Sequence, residues 1–451
     1  MDRRTFVAST SLAAAAGVSG AAADQAASKG VRKIEPLANE FSVVYESPDP
    51  QHVYCYTPGI CCLPGGRLIA TMDRGGDGVA KLPGAMQGKT LLRGMIFSSD
   101  DHGKTWQQRS LMPMLHARPF TAGKSLYVLG HVGDLMIMRS DDGGNTWSQA
   151  AKLTEGEGWH QSACNVWYAN GKVYLVMENN TDRTFKGWGV SVLAPVLMAA
   201  KVDDDLTNKG SWTFASRLSF REAIKQSGEP HMIGVPFYNP GPIYRDAQGV
   251  GRRVAQPIGW LETNVVQFSD PSHIWHDPKG RTFHLFMRAH TAGTGLAAMA
   301  KVVEAEDGTM ATTLEQAPSG QTMLYVPMPG GQMRFHILWD EQTKLFWLLS
   351  SQATDSMIKP ELMPAERFDL PNNERHRLAL HFSRNCVDWC FAGLVAVGPG
   401  WKQSRHYASM CIDGDDLHVL SRSGDARAKS AHDGNLITCH TVPGFRELAY
   451  L

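Results

Sequence analysis

No charge of either sign prevails in this 451-residue chain: 44 Lys and Arg stand against 44 Asp and Glu, for a formal net charge of +0. That balance leaves no electrostatic footprint for nucleic acid or for a membrane surface. Beyond the N-terminal residues there is no transmembrane candidate. The eight cysteines contain no C-x-x-C pair; Cys386 and Cys390 flank Trp389 at a spacing of four, without further ligands at zinc spacing. Cys55, Cys61, Cys62, Cys164, Cys411 and Cys439 mostly fall in strand-like runs and read as buried thiols. What is abundant is turn and core material: 44 Gly, 24 Pro, 12 Trp and 43% hydrophobic residues. That mixture suits a turn-rich all-β protein with a large core.

One stretch occurs twice. Ser99-Asp100-Asp101-His102-Gly103-Lys104-Thr105-Trp106 returns 41 positions later as Ser140-Asp141-Asp142-Gly143-Gly144-Asn145-Thr146-Trp147, both reading S-x-D-x-G-x-T-W. The chemistry is that of a tight turn between strands. Ser and Asp side chains bond nearby backbone N–H groups, Gly supplies positive φ, and Trp plugs the turn against the sheet. A period near 40 with one such turn per unit predicts a four-stranded propeller blade.

Hairpins recur in that frame. Apolar second strands are expected at Leu68–Met72, Leu126–Gly130, Val173–Met177, Phe283–Met287, Leu345–Leu349 and Leu417–Leu420, each after a shorter first strand and a turn. The fourth first strand is placed at His273-Ile274-Trp275. Ser383-Arg384-Asn385-Cys386-Val387-Asp388-Trp389 reads as a shortened third copy of the turn. Six units predict an all-β, six-bladed β-propeller over residues 40–451, with seven blades as the alternative. Phe41–Tyr45 is expected to supply the outer strand of the last blade, so that the ring has no free edge. A Pro-rich stretch at about 220–270 does not fit the repeat and reads as an insertion near the active face.

The first residues, Met1-Asp2-Arg3-Arg4-Thr5-Phe6-Val7, precede a small-residue apolar run ending near Ala21-Ala22-Ala23. This pattern resembles a twin-arginine export signal over 1–23, followed by a linker over 24–39. It implies a periplasmic or secreted protein, free of the membrane once the signal is removed.

Propeller topology sorts the polar residues. First-strand starts and second-strand ends share one end of every blade, opposite the repeated turns. To that mouth the sequence sends His116 with Arg118, His160, His273, His336, and His406 with Tyr407 from first strands. From second strands come Asp73, His131, Glu178, Arg288 with His290, and Arg422; Arg93 precedes a third strand. Such a ring of His, Arg and acids is a candidate pocket.

The repeated turn resembles the Asp box of the sialidase-like propeller superfamily. Sialidases carry an Arg-Ile-Pro signature on the first inner strand; the matching stretch here is Tyr56-Thr57-Pro58-Gly59-Ile60, with Tyr56 at the Arg position. The His-rich mouth is similar in residue types to propeller lyases acting beside uronic acids, which pair His and Tyr proton transfer with Arg neutralisation of the carboxylate. The resemblance implies cleavage of an acidic oligosaccharide or polysaccharide. His131 and His160 are assigned to proton transfer, with Tyr238 of the insertion as a further acid. Arg118 and Arg288 are assigned to the substrate carboxylate, and His116, Asp73, Arg93, Glu178, His290, Tyr407 and Arg422 to substrate binding. No cofactor and no metal ligand is expected, with a structural calcium ion left open. Two alternatives stand beside the lyase. A sialidase-like retaining hydrolase would need a Tyr–Glu nucleophile pair and an Asp acid, for which Tyr407, Glu178 and Asp73 are of the right type; a non-catalytic glycan-binding propeller would need neither.

Overall fold

Glycine and proline turns cut the chain into short β runs, and in the computed structural model those runs assemble as six antiparallel sheets around one axis, four of four strands and two of five. The structure describes residues 34–186, 189–227, 259–291, 293–359, 362–363 and 373–450. The twin-arginine stretch and Tyr238 lie outside them. No described helix is long and apolar enough to cross a membrane.

Blade 1 runs outward through Tyr54–Cys62, Leu68–Gly75, Gly94–Ser99 and Gln107–Met112. Blade 2 follows with Leu115–Ala122, Ser125–Val132, Asp134–Ser140 and Ala151–Lys152. In blade 3 the inner strand is broken into Trp159–His160 and Trp167–Ala169, ahead of Lys172–Asn180 and Leu193–Lys201. Blade 4 starts at Gly259–Val266 and continues through Thr282–His290 and Leu296–Glu304. Blade 5 holds His336–Asp340, Leu345–Ser351, Arg377–Ser383 and Cys390–Val397. Blade 6 holds Arg405–Asp413, Asp416–Ser423 and Leu436–Val442, and its outer strand is Ser42–Glu46 from the start of the chain. That last pairing, Ser42 opposite Cys439 and Glu46 opposite Leu436, closes the ring as the sequence predicts.

Two expectations are corrected. The inner strand of blade 4 is Gly259–Val266, not His273–Trp275, so the insertion ends before residue 259. His273 sits in the following loop, stacked on Phe268 with ring centroids 3.9 Å apart and facing the Asn385 carbonyl of blade 5, at the end opposite the mouth. The local sequence explains the misreading: Glu262-Thr263-Asn264 interrupts the apolar run and hides a fully buried strand.

The core lies between the blades. Six apolar clusters fill the six seams; Trp260, Phe283 and Tyr174 join blades 3 and 4, and Trp347, Leu380 and Met410 join blades 5 and 6. Near the axis each seam is also tied by a polar side chain. Thr71 donates to the Ala117 carbonyl at 2.7 Å, and Arg118 donates to the carbonyls of Asn165, Ser162 and Val176 at 3.0, 3.2 and 2.9 Å. Asn165 exchanges bonds with Val265, and Asn264 with Phe335 and Ile337. Arg334 reaches the carbonyls of Tyr407 and Ala408, and Ser409 donates to the Pro58 carbonyl at 2.8 Å. Gly59 is required at this crowded axis: a Cβ there would lie 2.7 Å from Thr71 Oγ1 and 2.9 Å from Ala163 Cβ.

The repeated turns fold identically. Asp101 accepts from the Thr105 N–H at 2.9 Å and its hydroxyl at 2.6 Å, and Asp142 does the same with Thr146 at 2.9 and 2.6 Å. Trp106 and Trp147 each donate to the carbonyl three residues back, at 3.1 Å. In the third copy Asn385 takes the Asp role, accepting from Val387 and Asp388 N–H.

Candidate functional site

The mouth is built by one backbone device used in four blades. On the inner strands, pairing with the second strand breaks between Tyr56 and Gly59, Leu115 and Arg118, Leu261 and Asn264, and His406 and Ser409. At each break a non-glycine residue is left-handed: Thr57, His116, Glu262 and Tyr407, with φ of 41°, 54°, 61° and 51°. A left-handed residue in a bulge re-aims its side chain, and such strain concentrates at functional sites. Two positions further on, Arg118, Asn264 and Ser409 form axial ties, and Gly59 packs at the crowded axis against Thr71. One strand therefore presents a mouth residue and a ring-tying residue in succession.

Tyr407 is the centre of one half of the site. Its hydroxyl accepts from Arg288 Nη1 at 2.7 Å, and Arg288 Nη1 also faces Glu262 Oε2 at 3.4 Å. Arg288 Nε donates to the Gln332 carbonyl at 2.8 Å, which fixes the guanidinium. Arg422 and Arg375 lie over the Tyr407 ring at 5.3 and 5.7 Å. Burial raises the Tyr407 phenol above its ordinary range, against the opposing pull of Arg288. Arg375 is held by Asn373 Oδ1 at 2.8 Å and His406 Nδ1 at 3.1 Å, and burial presses it down to about 10. Arg422 donates to the His432 carbonyl and packs over Tyr56, whose hydroxyl donates to Asp433 at 2.6 Å.

The other half holds three imidazoles. His116 Nδ1 meets His131 Nε2 at 3.0 Å, and the His160 ring stands 5.4 Å from that of His116. His131 is only 6% exposed; burial and the His160 charge press it down to about 3, so it is neutral. His116 lies well below its ordinary value for the same first reason. His160 is the exception. Burial would depress it, but Glu178 at 3.2 Å and the charge of Glu262 outweigh burial and raise it. Glu178 is fully buried and fixed by the Thr263 N–H and hydroxyl at 3.0 and 2.7 Å. Asp73, 1% exposed, accepts from the His116 N–H at 3.1 Å; burial pushes its carboxyl up to about 7. Half-buried Arg93 contributes charge to Asp73. His290 is buried at the end of its strand and held well below the ordinary histidine range by burial and then Arg288.

The structure thus gathers Asp73, His116, His131, His160, Glu178, Arg288, Tyr407 and Arg422 at one end of the ring. It redistributes several assignments. Arg118, 1% exposed, is occupied by three backbone carbonyls and ties blade 2 to blade 3 instead of gripping a carboxylate. Arg288 holds Tyr407 and Glu262. The glutamate beside Tyr407 is Glu262, whereas Glu178 serves His160. His336 lines a cavity of about 470 Å³ at the far end of the axis, where its Nδ1 faces the Met410 N–H at 3.2 Å. Sequence reasoning missed Glu262 and Arg375. Arg375 stands just ahead of a third strand, as Arg93 does in blade 1, and that shared position is the signal that could have found it.

No family model matches this sequence, and no curated protein matches it. Solved structures do resemble it. The Hadza microbial sialidase Hz136 superposes with a TM-score of 0.52 at 14% identity, over 89% of this chain and 68% of that one. An α-L-arabinanase of Penicillium chrysogenum complexed with arabinobiose gives 0.47 at 12% identity, over 92% and 100%. The intramolecular trans-sialidase from Ruminococcus gnavus gives 0.47 at 12%, over 91% and 98%. With six blades, a closing N-terminal strand and Asp-box turns, the chain has the sialidase-like six-bladed β-propeller fold.

Proposed function

We propose that the protein is a retaining glycoside hydrolase acting on an acidic sugar, with Tyr407 as nucleophile. The observation that carries this is the Tyr407–Glu262–Arg288 cluster. Glu262 takes the phenol proton, and Arg288, donating to the phenol oxygen, stabilises the phenolate as it attacks the anomeric carbon. A phenol nucleophile is neutral before activation, which suits a substrate whose carboxylate would repel a second carboxylate. Arg375 and Arg422, flanking the Tyr407 ring, neutralise that carboxylate. His160, whose pKa Glu178 raises and whose side chain is 28% exposed, protonates the leaving oxygen. Water then cleaves the tyrosyl glycoside with His160 as base.

One observation favours a second reading. Adjacent imidazoles pushed in opposite directions, His116 and His131 down and His160 up, are suited to the acid–base work of a uronate lyase. The experiment is a digestion of sialic acid- and uronate-terminated oligosaccharides by wild type and the Tyr407→Phe and His160→Ala variants. The hydrolase reading expects a free acidic sugar of retained configuration, no new ultraviolet absorbance, and a kcat loss of about two to four orders of magnitude in each variant. An absorbing unsaturated uronate would transfer the assignment to the lyase. Full turnover by Tyr407→Phe would end both assignments of that residue. The export reading of Arg3-Arg4 would place this chemistry outside the cytoplasm.

A further inference from the structure

At the end of the ring opposite the mouth, three ligand-bearing side chains from two blades converge. His102 belongs to the first Asp-box turn, on blade 1. Asp413 ends the inner strand of blade 6, and His418 lies on the strand paired with it, opposite Cys411. Their ligand atoms all lie within 4.8 Å of one another. His102 Nδ1 stands 2.6 Å from Asp413 Oδ2, and His418 Nε2 stands 3.4 Å from the same oxygen. No role in the mouth chemistry reaches this cluster.

We propose that His102, Asp413 and His418 bind a divalent transition-metal ion of the zinc class, joining blade 6 to blade 1. The independent observation is His418 itself. It is fully buried, and its Nε2 makes no well-aligned hydrogen bond; it faces only the Asp413 carboxylate, at 3.4 Å, among the described contacts. Its other nitrogen, Nδ1, meets the Thr441 hydroxyl at 3.0 Å, an orienting contact of the kind that metal-bound histidines make. A buried imidazole nitrogen 3.4 Å from a carboxylate, with a second imidazole beside that carboxylate, is placed as a metal ligand would be. The spacing fits. With zinc–ligand bonds of about 2.0–2.1 Å, tetrahedral ligands lie about 3.3 Å apart, close to the separation of His418 Nε2 and Asp413 Oδ2. His102 is 61% exposed at its side chain and is free to open its shorter contact around an ion.

Two imidazoles and one carboxylate select zinc, nickel or copper over calcium or magnesium, which take oxygen ligands. The two Asp boxes add a consistent detail. At the left-handed position where the second box has Gly143, φ 69°, the first has His102, φ 57°.

The test uses the full chain stripped with a chelator and titrated with zinc chloride, followed by calorimetry and thermal melting. One equivalent should bind at micromolar or tighter affinity and raise Tm by several degrees. Cobalt(II) in place of zinc should give the visible absorption of a tetrahedral site. His102→Ala changes an exposed side chain and should fold normally while losing at least about tenfold in affinity; Thr441→Val should weaken binding by about tenfold to a hundredfold through lost orientation. Absence of stoichiometric zinc binding, or binding of equal strength in His102→Ala and Asp413→Asn, would overturn the proposal.

Discussion

Asp73 makes stability depend on pH in a way that one substitution isolates. Its carboxyl titrates near 3.8 in an unfolded chain and near 7 in the folded one, because burial penalises the charged form. The folded state therefore retains a proton that the unfolded state has already released between those two values. Folding takes up a proton in that window, so this group's contribution to stability falls as pH rises from about 4 to about 7 and stays low above it. A gap of about 3 pH units at roughly 1.4 kcal/mol each amounts to about 4 kcal/mol. An asparagine side chain at this position would have the shape of the protonated carboxyl and keep an acceptor for the His116 N–H, which lies 3.1 Å away. In Asp73→Asn that pH dependence should vanish, leaving the variant relatively more stable by about 4 kcal/mol at pH 8 than at pH 4. Urea unfolding of both proteins across that range is the assay, since other titrating groups cancel in the difference. A stability difference constant with pH would refute the buried, proton-holding reading of Asp73.

Arg118→Ala should strand the buried Asn165 carbonyl at about 1–3 kcal/mol, while the Ser162 and Val176 carbonyls keep the Cys164 N–H and Gln161 Nε2; Tm should fall while KM of the folded fraction for acidic and carboxyl-reduced substrates changes equally little. Differential scanning calorimetry with steady-state kinetics distinguishes this from loss of a carboxylate ligand. Trp147→Ala, at a half-buried turn plug, should cost about 2 kcal/mol in chemical denaturation with turnover unchanged. Replacing Arg3 and Arg4 together by Lys should leave unprocessed precursor in the cytoplasm on fractionation; normal processing would contradict the export reading.

The sequence carried the ring because its signals are local. An eight-residue turn fixes its own hydrogen bonds, from Asp101 to Thr105 and from Asp142 to Thr146, so its spacing reports the blade period directly. The closing strand was legible for the same reason, as a short β run left over before the first unit. Only the inner strand of blade 4 was hidden, because Glu262, Thr263 and Asn264 break the apolar pattern that marks an inner strand, although all three are buried. Their burial is satisfied by Arg288, Glu178 and Ile337, partners distant in sequence. The role of Arg118 was misread for a related cause. A single arginine at a strand start has the same appearance whether it meets a substrate or three carbonyls of the next blade.

The left-handed bulges set the terms on which this protein can be improved. Thr57, His116, Glu262 and Tyr407 each hold a conformation that glycine or asparagine would adopt with less strain. A screen that selects for heat resistance alone will sample these four positions, where any gain must come from relief of about 1–3 kcal/mol of strain set against lost buried contacts such as Glu262 with Arg288. Three of the four are the side chains that face the reaction, so those gains would be collected from inactive proteins. Selection for robustness in this scaffold has to be applied at the seams or the outer turns, with activity scored in the same round.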